Sequence, residues 1–175
     1  MGTVGNITIE NAFSVDCPNM GYLWGHTYGA GLLKGSESSR LKELSPQCVE
    51  LKGTIYGTSE VDKKEADGDL KFTVVPDSNY KHLLEKSGKN CGPSPKPCRM
   101  VVEIICWEQP DYKKYDGYTP HEFCKGVESK KHFPNVQNLK SGDSVCIIGK
   151  WVQDIGYPQA DHPEWNEIHP AERLC

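Results

Sequence analysis

This 175-residue chain has no long apolar run, and none approaches the about 20 consecutive residues with which a helix crosses a bilayer. We therefore expect no membrane-spanning helix. The first residues, Met1 to Asn6, also lack the charged region and apolar core of a secretory signal. If the protein is exported, we expect that its signal has been removed or replaced by a start codon.

An excess of positive charge is missing as well. Lys and Arg total 20 against 24 Asp and Glu, which gives a net charge of −4, and no tract is basic. Neutralising phosphates supplies most non-specific affinity for nucleic acids. This charge balance therefore disfavours nucleic acid as a partner.

Several catalytic and metal motifs are absent too. There is no Cys-x-x-Cys pair, so the cysteines do not form a recognisable zinc pattern. The glycine-rich segment 21–31 lacks the Gly-Lys-Ser/Thr ending of a phosphate loop. No Ser-His-Asp or Cys-His nucleophile arrangement is evident either. An enzyme is therefore the less favoured class.

What the chain does have is an even number of cysteines, at 17, 48, 91, 98, 106, 124, 146 and 175. Cys91 and Cys98 bracket a proline-rich segment that would profit from a covalent clamp, and Cys106 with Cys124 would close a polar loop. The pairing of Cys17, Cys48, Cys146 and Cys175 stays open. A set of disulfides predicts an oxidising compartment, and hence an extracellular or cell-surface protein.

Apolar alternation predicts five strands and one short helix. The strands fall at residues 48–56, 69–75, 100–107, 145–152 and 165–169, and a helix with one apolar face follows Ser78. Gly53 and Gly149 lie inside the first and fourth strands, where glycine marks a bend or a close backbone approach. We predict a mainly all-β fold, a five-stranded OB-like Greek-key barrel. A β-sandwich is the alternative, but seven strands are not visible.

The N-terminal part has no regular pattern. Residues 1–44 are interpreted as an irregular arm that packs on the barrel or on a neighbouring copy, and residues 45–175 as the barrel domain. A helical turn around Ser38–Leu44 is expected. The glycines and aromatics of segment 21–31 oppose a regular helix.

The richest chemistry lies at the two ends of the barrel sequence. Carboxylates and imidazoles there are ligands for Zn²⁺, Mn²⁺ or Ca²⁺. These candidate metal ligands are Asp67, Asp69, Asp161, His162, Glu167 and His169. Strand alternation places Trp165, Glu167 and His169 on one face, which we expect to point outward. The alternative is that Asp67-Gly68 is a hairpin turn and that Glu167 and His169 hydrogen-bond loop backbone.

Aromatic side chains accompany these residues. Trp165 with Trp151 and Tyr157 could form a platform for a sugar ring, a base or a peptide. The alternative for Trp151 is a place in the core.

Four segments also carry a resemblance. They are Asp67-Gly68-Asp69-Leu70-Lys71-Phe72, Val101-Val102-Glu103-Ile104-Ile105-Cys106, Gly142-Asp143-Ser144-Val145 and Trp165-Asn166-Glu167-Ile168-His169-Pro170. Across roughly residues 46–172 the chain resembles exported OB-fold-like domains of archaea and bacteria that share an Asp-Gly-Asp turn and a Trp-x-Glu-Ile-His-Pro motif. The resemblance implies an OB-like fold and export, and it brings no established activity.

The sequence therefore predicts a secreted, disulfide-stabilised binding or accessory module. Its partner would be a small ligand, a glycan or a protein, with a possible divalent metal at the Trp-Glu-His motif. Two alternatives use the same features. One is a metal-dependent hydrolase. The other is a structural subunit of a cell-surface or filament assembly that self-associates through the arm.

Overall fold

The computed structural model describes residues 15–19, 21, 23, 41–57, 60–61, 68–84, 90–91, 96–108, 124–155 and 165–175. Its strands are β1 (Leu41–Ile55), β2 (Glu60–Val61), β3 (Leu70–Pro76), β4 (Met100–Ile104), β5 (Ser144–Asp154) and β6 (Trp165–Leu174). Between β4 and β5 lie helix α1 (Ser129–His132) and a 3₁₀ turn (Val136–Asn138), and another 3₁₀ turn (Ser78–Leu83) follows β3.

The strands form one sheet that closes on itself. Their order is β1-β5-β6-β4-β3-β2, and an additional pairing of β1 with β3 closes a five-stranded barrel. All pairings are antiparallel except that of β4 with β6, which is parallel. The expected all-β, OB-like barrel is confirmed, including the hairpin formed by its first two long strands.

Strand alternation determines which side chains fill the barrel. In β3, Leu70, Phe72 and Val74 are buried, whereas Lys71, Thr73 and Val75 are partly exposed. Phe72 and Val74 join Val102 and Ile168 in the core cluster, as do Phe133 and Val136 from the segment between β4 and β5. Aromatic and β-branched side chains suit these half-buried strands.

Two glycines mark close approaches between strands, as their places inside strands predict. A Cβ on Gly149 would lie 2.8 Å from the Ala171 Cα and from the Pro170 carbonyl oxygen of β6. A Cβ on Gly53 would lie 2.7 Å from a methyl group of Val74 on β3. Only glycine lets the backbones approach this closely where the barrel closes.

Element boundaries differ from the sequence-based expectation in several places. The strand predicted over residues 100–107 ends at Ile104, because the chain turns at 105–108, where Cys106 has a φ of 54°. The helical turn expected around Ser38–Leu44 is wrong for residues 41–44, which begin strand β1, while residues 38–40 lie outside the described residues. Strand β6 continues past His169 to Leu174, and the short β2 pairs with β3. The added residues of β1 and β6 are in strand because β5 offers them a long antiparallel partner.

All eight cysteines form disulfides. The expected pairs Cys91–Cys98 and Cys106–Cys124 are confirmed, and the four left open pair as Cys17–Cys48 and Cys146–Cys175. Four disulfides are typical of proteins from oxidising, extracellular-type compartments. Among the described residues, no helix has the length and apolarity required to cross a membrane.

The described part of the N-terminal arm contacts the barrel of its own chain. Besides the Cys17–Cys48 disulfide, the Asn19 amide donates to a Glu172 carboxylate oxygen at 3.1 Å. The Arg173 guanidinium donates to the Asp16 carbonyl at 3.0 Å. Residues 15–19 are therefore attached to β1 and β6.

Candidate metal site

The register between β4 and β6 brings two glutamates and a histidine together. Val101 and Val102 of β4 pair with Glu167 and Ile168 of β6, so Glu103 and His169 lie at the next matching positions. Val102 and Ile168 belong to the core. Because side chains alternate, Glu103, Glu167 and His169 share the opposite, outer face of the barrel wall.

The His169 imidazole lies between the two glutamates. Its Nδ1 is 3.1 Å from Glu167 Oε1 and 3.2 Å from Glu103 Oε2. Glu103 also forms an ion pair through Oε1 with the Lys71 ammonium at 2.7 Å, and Lys71 is its cross-strand partner on β3. Trp165 donates its indole N–H to Glu167 Oε2 at 2.9 Å.

Asp69 joins this cluster from the residue before β3. Its Oδ1 accepts the backbone N–H of Cys106 at 2.8 Å, just past the end of β4. Asp69, Glu103 and His169 each offer one ligand atom within 4.8 Å of the others. The peptide bond from His169 to Pro170 is cis.

The expectation that Glu167 and His169 are exposed is wrong. They do lie on one face with Trp165 and opposite Ile168, but both side chains are 0 % exposed, and Glu103 and Asp69 are also buried. Alternation along a strand decides the face of the sheet, whereas exposure depends on what the rest of the chain places over that face.

Burial has an electrostatic consequence at Glu167. Its desolvation raises the pKa of this carboxyl, and the nearby charges of Glu103 and Asp154 raise it further. The hydrogen bond and charge of His169 oppose this shift. Among the described contacts, Lys71 pairs with Glu103, and His169 lies against both Glu103 and Glu167.

This spacing is suited to two kinds of chemistry. His169 Nδ1 is within hydrogen-bonding distance of Glu167 Oε1 at 3.1 Å, and Glu103 Oε2 lies 3.2 Å from the same nitrogen. With metal–ligand bonds of about 2.1 Å, neighbouring ligand atoms in tetrahedral or octahedral geometry are about 3.0–3.4 Å apart. The imidazole and the two glutamate oxygens therefore have the spacing of ligands around a divalent cation, and Asp69 offers a further oxygen within 4.8 Å of Glu103 and His169.

Not every predicted site residue can be placed. Asp67, Asp161, His162 and Tyr157 lie outside the described residues, so their part in the site stays a prediction. Trp165 is half-buried beside Glu167. Trp151 occupies the core and donates its indole N–H to the Leu83 carbonyl at 3.2 Å, so it does not join a surface platform.

The sequence analysis did not include Glu103 among the candidate ligands. The signal was present, because Glu103 is the one charged residue within the otherwise apolar run from Val101 to Cys106. A carboxylate in a buried strand is stable only with a partner, which makes it a candidate site residue. Its proximity to Asp69 did not follow from local pattern, because a long segment of chain separates β3 from β4.

A second group of possible ligands is chemically different. Glu50, Cys146 and Cys175 also lie close together. Because Cys146 and Cys175 form a disulfide, they offer no thiolate to a metal. Glu50 instead accepts the Tyr80 hydroxyl at 2.6 Å and pairs with Lys52 at 2.9 Å.

Comparison with known proteins adds no family, since no protein-family model and no curated protein matches this chain. The similarity to exported OB-fold-like domains therefore remains a prediction. What is shown is a disulfide-stabilised, OB-like β-barrel with a buried carboxylate–imidazole cluster on its outer face.

Proposed function

We propose that this chain is an exported binding module whose barrel holds one divalent cation through Asp69, Glu103 and His169, with Glu167 as a further ligand. The observation that carries the proposal is the convergence of three buried ligand atoms within 4.8 Å. Two of these residues are on strands and the third directly precedes one, so the barrel itself holds the cluster in place.

The charge of the cluster supports a cation there. Burying an ionised carboxylate costs several kcal/mol unless positive charge compensates it. Three carboxyls surround one imidazole, and Lys71 pairs with one of them. A divalent cation would add two positive charges among these carboxyls, and its binding would release any proton that the ligands hold.

The types of ligand atom also limit which metal ions suit the site. One imidazole nitrogen with two or three carboxylate oxygens favours Zn²⁺ or Mn²⁺. Ca²⁺ prefers six to eight oxygen ligands and does not favour an imidazole. We therefore place Zn²⁺ and Mn²⁺ ahead of Ca²⁺ for this site.

Burial favours binding over hydrolysis. A catalytic metal keeps an open position for water and substrate, whereas Glu103, Glu167 and His169 are each at most 2 % exposed. The assembly alternative is less favoured because residues 15–19 of the arm are attached to their own barrel. The binding partner, a glycan, a peptide or a small ligand, would contact the half-buried Trp165 beside the cluster.

Elemental analysis of protein purified without chelator or affinity metal tests the proposal. We expect near-stoichiometric Zn or Mn in the wild type, and loss of the metal in Asp69→Asn and Glu103→Gln, which keep side-chain shape. Glu128→Gln is the matched control, because Glu128 is exposed and pairs only with the surface Lys131 in the contacts seen here.

Titration with each metal completes the test. The wild type, stripped with chelator, should gain thermal stability with Zn²⁺ or Mn²⁺, and Asp69→Asn should gain markedly less at the same metal concentration. The proposal would be overturned if the wild type is purified without metal and its melting temperature does not change when Zn²⁺, Mn²⁺ or Ca²⁺ is added. The cluster would then be a permanent hydrogen-bonded network between β3, β4 and β6.

A further inference from the structure

One disulfide includes a cysteine that is hydrogen-bonded to a proposed metal ligand. Cys106, two residues past β4, pairs with Cys124, and both are buried. The backbone N–H of the same Cys106 donates to Asp69 Oδ1 at 2.8 Å. A single hydrogen bond thus separates this disulfide from a proposed metal ligand.

Cys106 has a backbone conformation that it does not favour on its own. Its φ of 54° is in the left-handed region. For a residue with a Cβ this region costs about 1–2 kcal/mol, so surrounding contacts must maintain it. The disulfide to Cys124 is one such contact, and it connects Cys106 to the segment that leads into α1.

Two hydrogen bonds support the same turn. The buried Ser129 hydroxyl of α1 donates to the Ile105 carbonyl at 2.6 Å, and the Glu108 amide donates to the Gly68 carbonyl at 2.9 Å. The turn at 105–108 is therefore held against the chain at 68–69 from both sides. A carboxylate ligand that accepts such a fixed donor is oriented for metal binding.

We propose that the Cys106–Cys124 disulfide is a positioning element of the metal site, holding the turn whose N–H orients Asp69. This inference rests on the proposed function and states how metal binding at the proposed site is regulated. Full metal affinity would then require the oxidised chain. In exchange with a small disulfide, the two thiols lose two protons and two electrons, and that disulfide leaves as two thiols.

The consequence is an order of events during export. A reduced chain would hold Asp69 loosely and bind metal weakly. Once oxidised outside the reducing cytoplasm, the same chain would acquire its full affinity. Disulfide formation would thus restrict metal loading to the compartment in which the protein is expected to act.

A double-mutant cycle tests the inference on the full chain. The Kd for Zn²⁺ and, separately, for Mn²⁺ is measured by calorimetry for wild type, Cys106→Ser/Cys124→Ser, Asp69→Asn and their combination. We expect the disulfide variant to bind about 10–100-fold more weakly. The combination should bind no more weakly than Asp69→Asn alone, because both changes act through the same ligand.

The matched control is Cys91→Ser/Cys98→Ser, which removes a disulfide that closes a separate loop. It should keep the wild-type Kd. A wild-type Kd in Cys106→Ser/Cys124→Ser would overturn the inference and leave the metal site standing. Losses that add in the combined variant would also overturn it, because they indicate general destabilisation.

Folding of the variants is checked by far-UV circular dichroism. Where the double serine variant does not fold, Cys106→Ala/Cys124→Ala replaces it, since alanine removes the same disulfide without placing two hydroxyls at these buried positions. A weakened Kd with native dichroism supports the inference, and a wild-type Kd overturns it. Absence of metal binding by the wild type itself would instead contradict the proposed function.

Discussion

At the scale of single residues, the proposed site depends on neighbours that orient its ligands. Trp165 is such a neighbour, because its indole N–H donates to Glu167 Oε2 at 2.9 Å. Partners of this kind are worth about 10–100-fold in metal affinity when they are removed. Replacing Trp165 by phenylalanine keeps an aromatic ring at this position and removes the N–H donor, so it isolates this contribution.

Trp165→Phe should therefore weaken Zn²⁺ or Mn²⁺ binding about tenfold while the barrel stays folded. Calorimetric titration beside circular dichroism measures both effects. Trp151→Phe is the control, because it also removes an indole donor but on the core side, where Leu83 accepts. That variant should lose stability and keep its metal affinity. Equal affinities of Trp165→Phe and wild type would contradict the prediction.

A second residue-scale prediction concerns Glu50. The hydrogen bond from Tyr80, followed by that from Lys52, lowers the pKa of the Glu50 carboxyl below its ordinary value of 4.5. A carboxyl whose pKa is lower in the folded protein stabilises the fold at higher pH. That stability is present above about pH 4.5 and is lost as the pH falls through the folded pKa.

Tyr80→Phe should lower the free energy of unfolding by about 1.5–3 kcal/mol at pH 7, because it removes a hydrogen bond to a charged group. The difference from wild type should shrink as the pH falls below 4.5. Urea unfolding of both proteins at pH 7 and pH 3 measures it. A difference that does not change with pH would show that lost packing, and not the Glu50 charge, causes the effect.

At the scale of elements, the side chain of one asparagine links β6 to the segment before β4. The Asn90 side chain accepts the Asn166 amide at 2.9 Å and donates to the Asn166 carbonyl at 2.7 Å. It also donates to the Arg99 carbonyl at 2.9 Å. One buried side-chain amide thus connects the start of β6 to the segment that leads into β4.

Asn90→Ala should cost about 3 kcal/mol of unfolding free energy, since it leaves buried backbone groups without their partner. Chemical denaturation gives this value. Asn138→Ala is the control, because Asn138 is exposed, and it should change stability by no more than about 0.5 kcal/mol. A loss below about 1 kcal/mol in Asn90→Ala would indicate that water replaces the amide.

At the scale of the whole molecule, four covalent links constrain the unfolded chain. The disulfides span sequence separations of 7, 18, 29 and 31 residues. In the chain-entropy description, longer closed loops give more stabilisation. Cys146–Cys175 joins β5 to the residue after β6, whereas Cys91–Cys98 closes the shortest loop.

Replacing Cys146 and Cys175 by serine should therefore destabilise the protein more than replacing Cys91 and Cys98. With separations of 29 and 7, the expected losses are about 3.6 and about 2.4 kcal/mol. Thermal and urea unfolding under non-reducing conditions compare them. The reverse order would show that native-state contacts outweigh loop closure in this barrel.

Part of the candidate site was predictable from local pattern. Glu167 and His169 are two residues apart on a strand, so alternation alone places them together. Asp69 was predicted as a ligand for the same reason, at the start of another strand. The sequence offered their meeting only as a hypothesis, because it depends on β3 pairing with β4 and on β4 pairing in parallel with β6 across more than sixty residues of sequence.

The sequence by itself determined the local properties of this protein: strand period, core residues such as Phe72 and Ile168, two of the four disulfides, and the OB-like barrel class. These follow from alternation, turn residues and short loops, which act between neighbours. The tertiary structure decided the burial of Glu167 and His169, the recruitment of Glu103, and the attachment of the Asp69 carboxylate to the turn at Cys106. These depend on register between distant strands and on what covers the barrel face, and neither is encoded by any single segment.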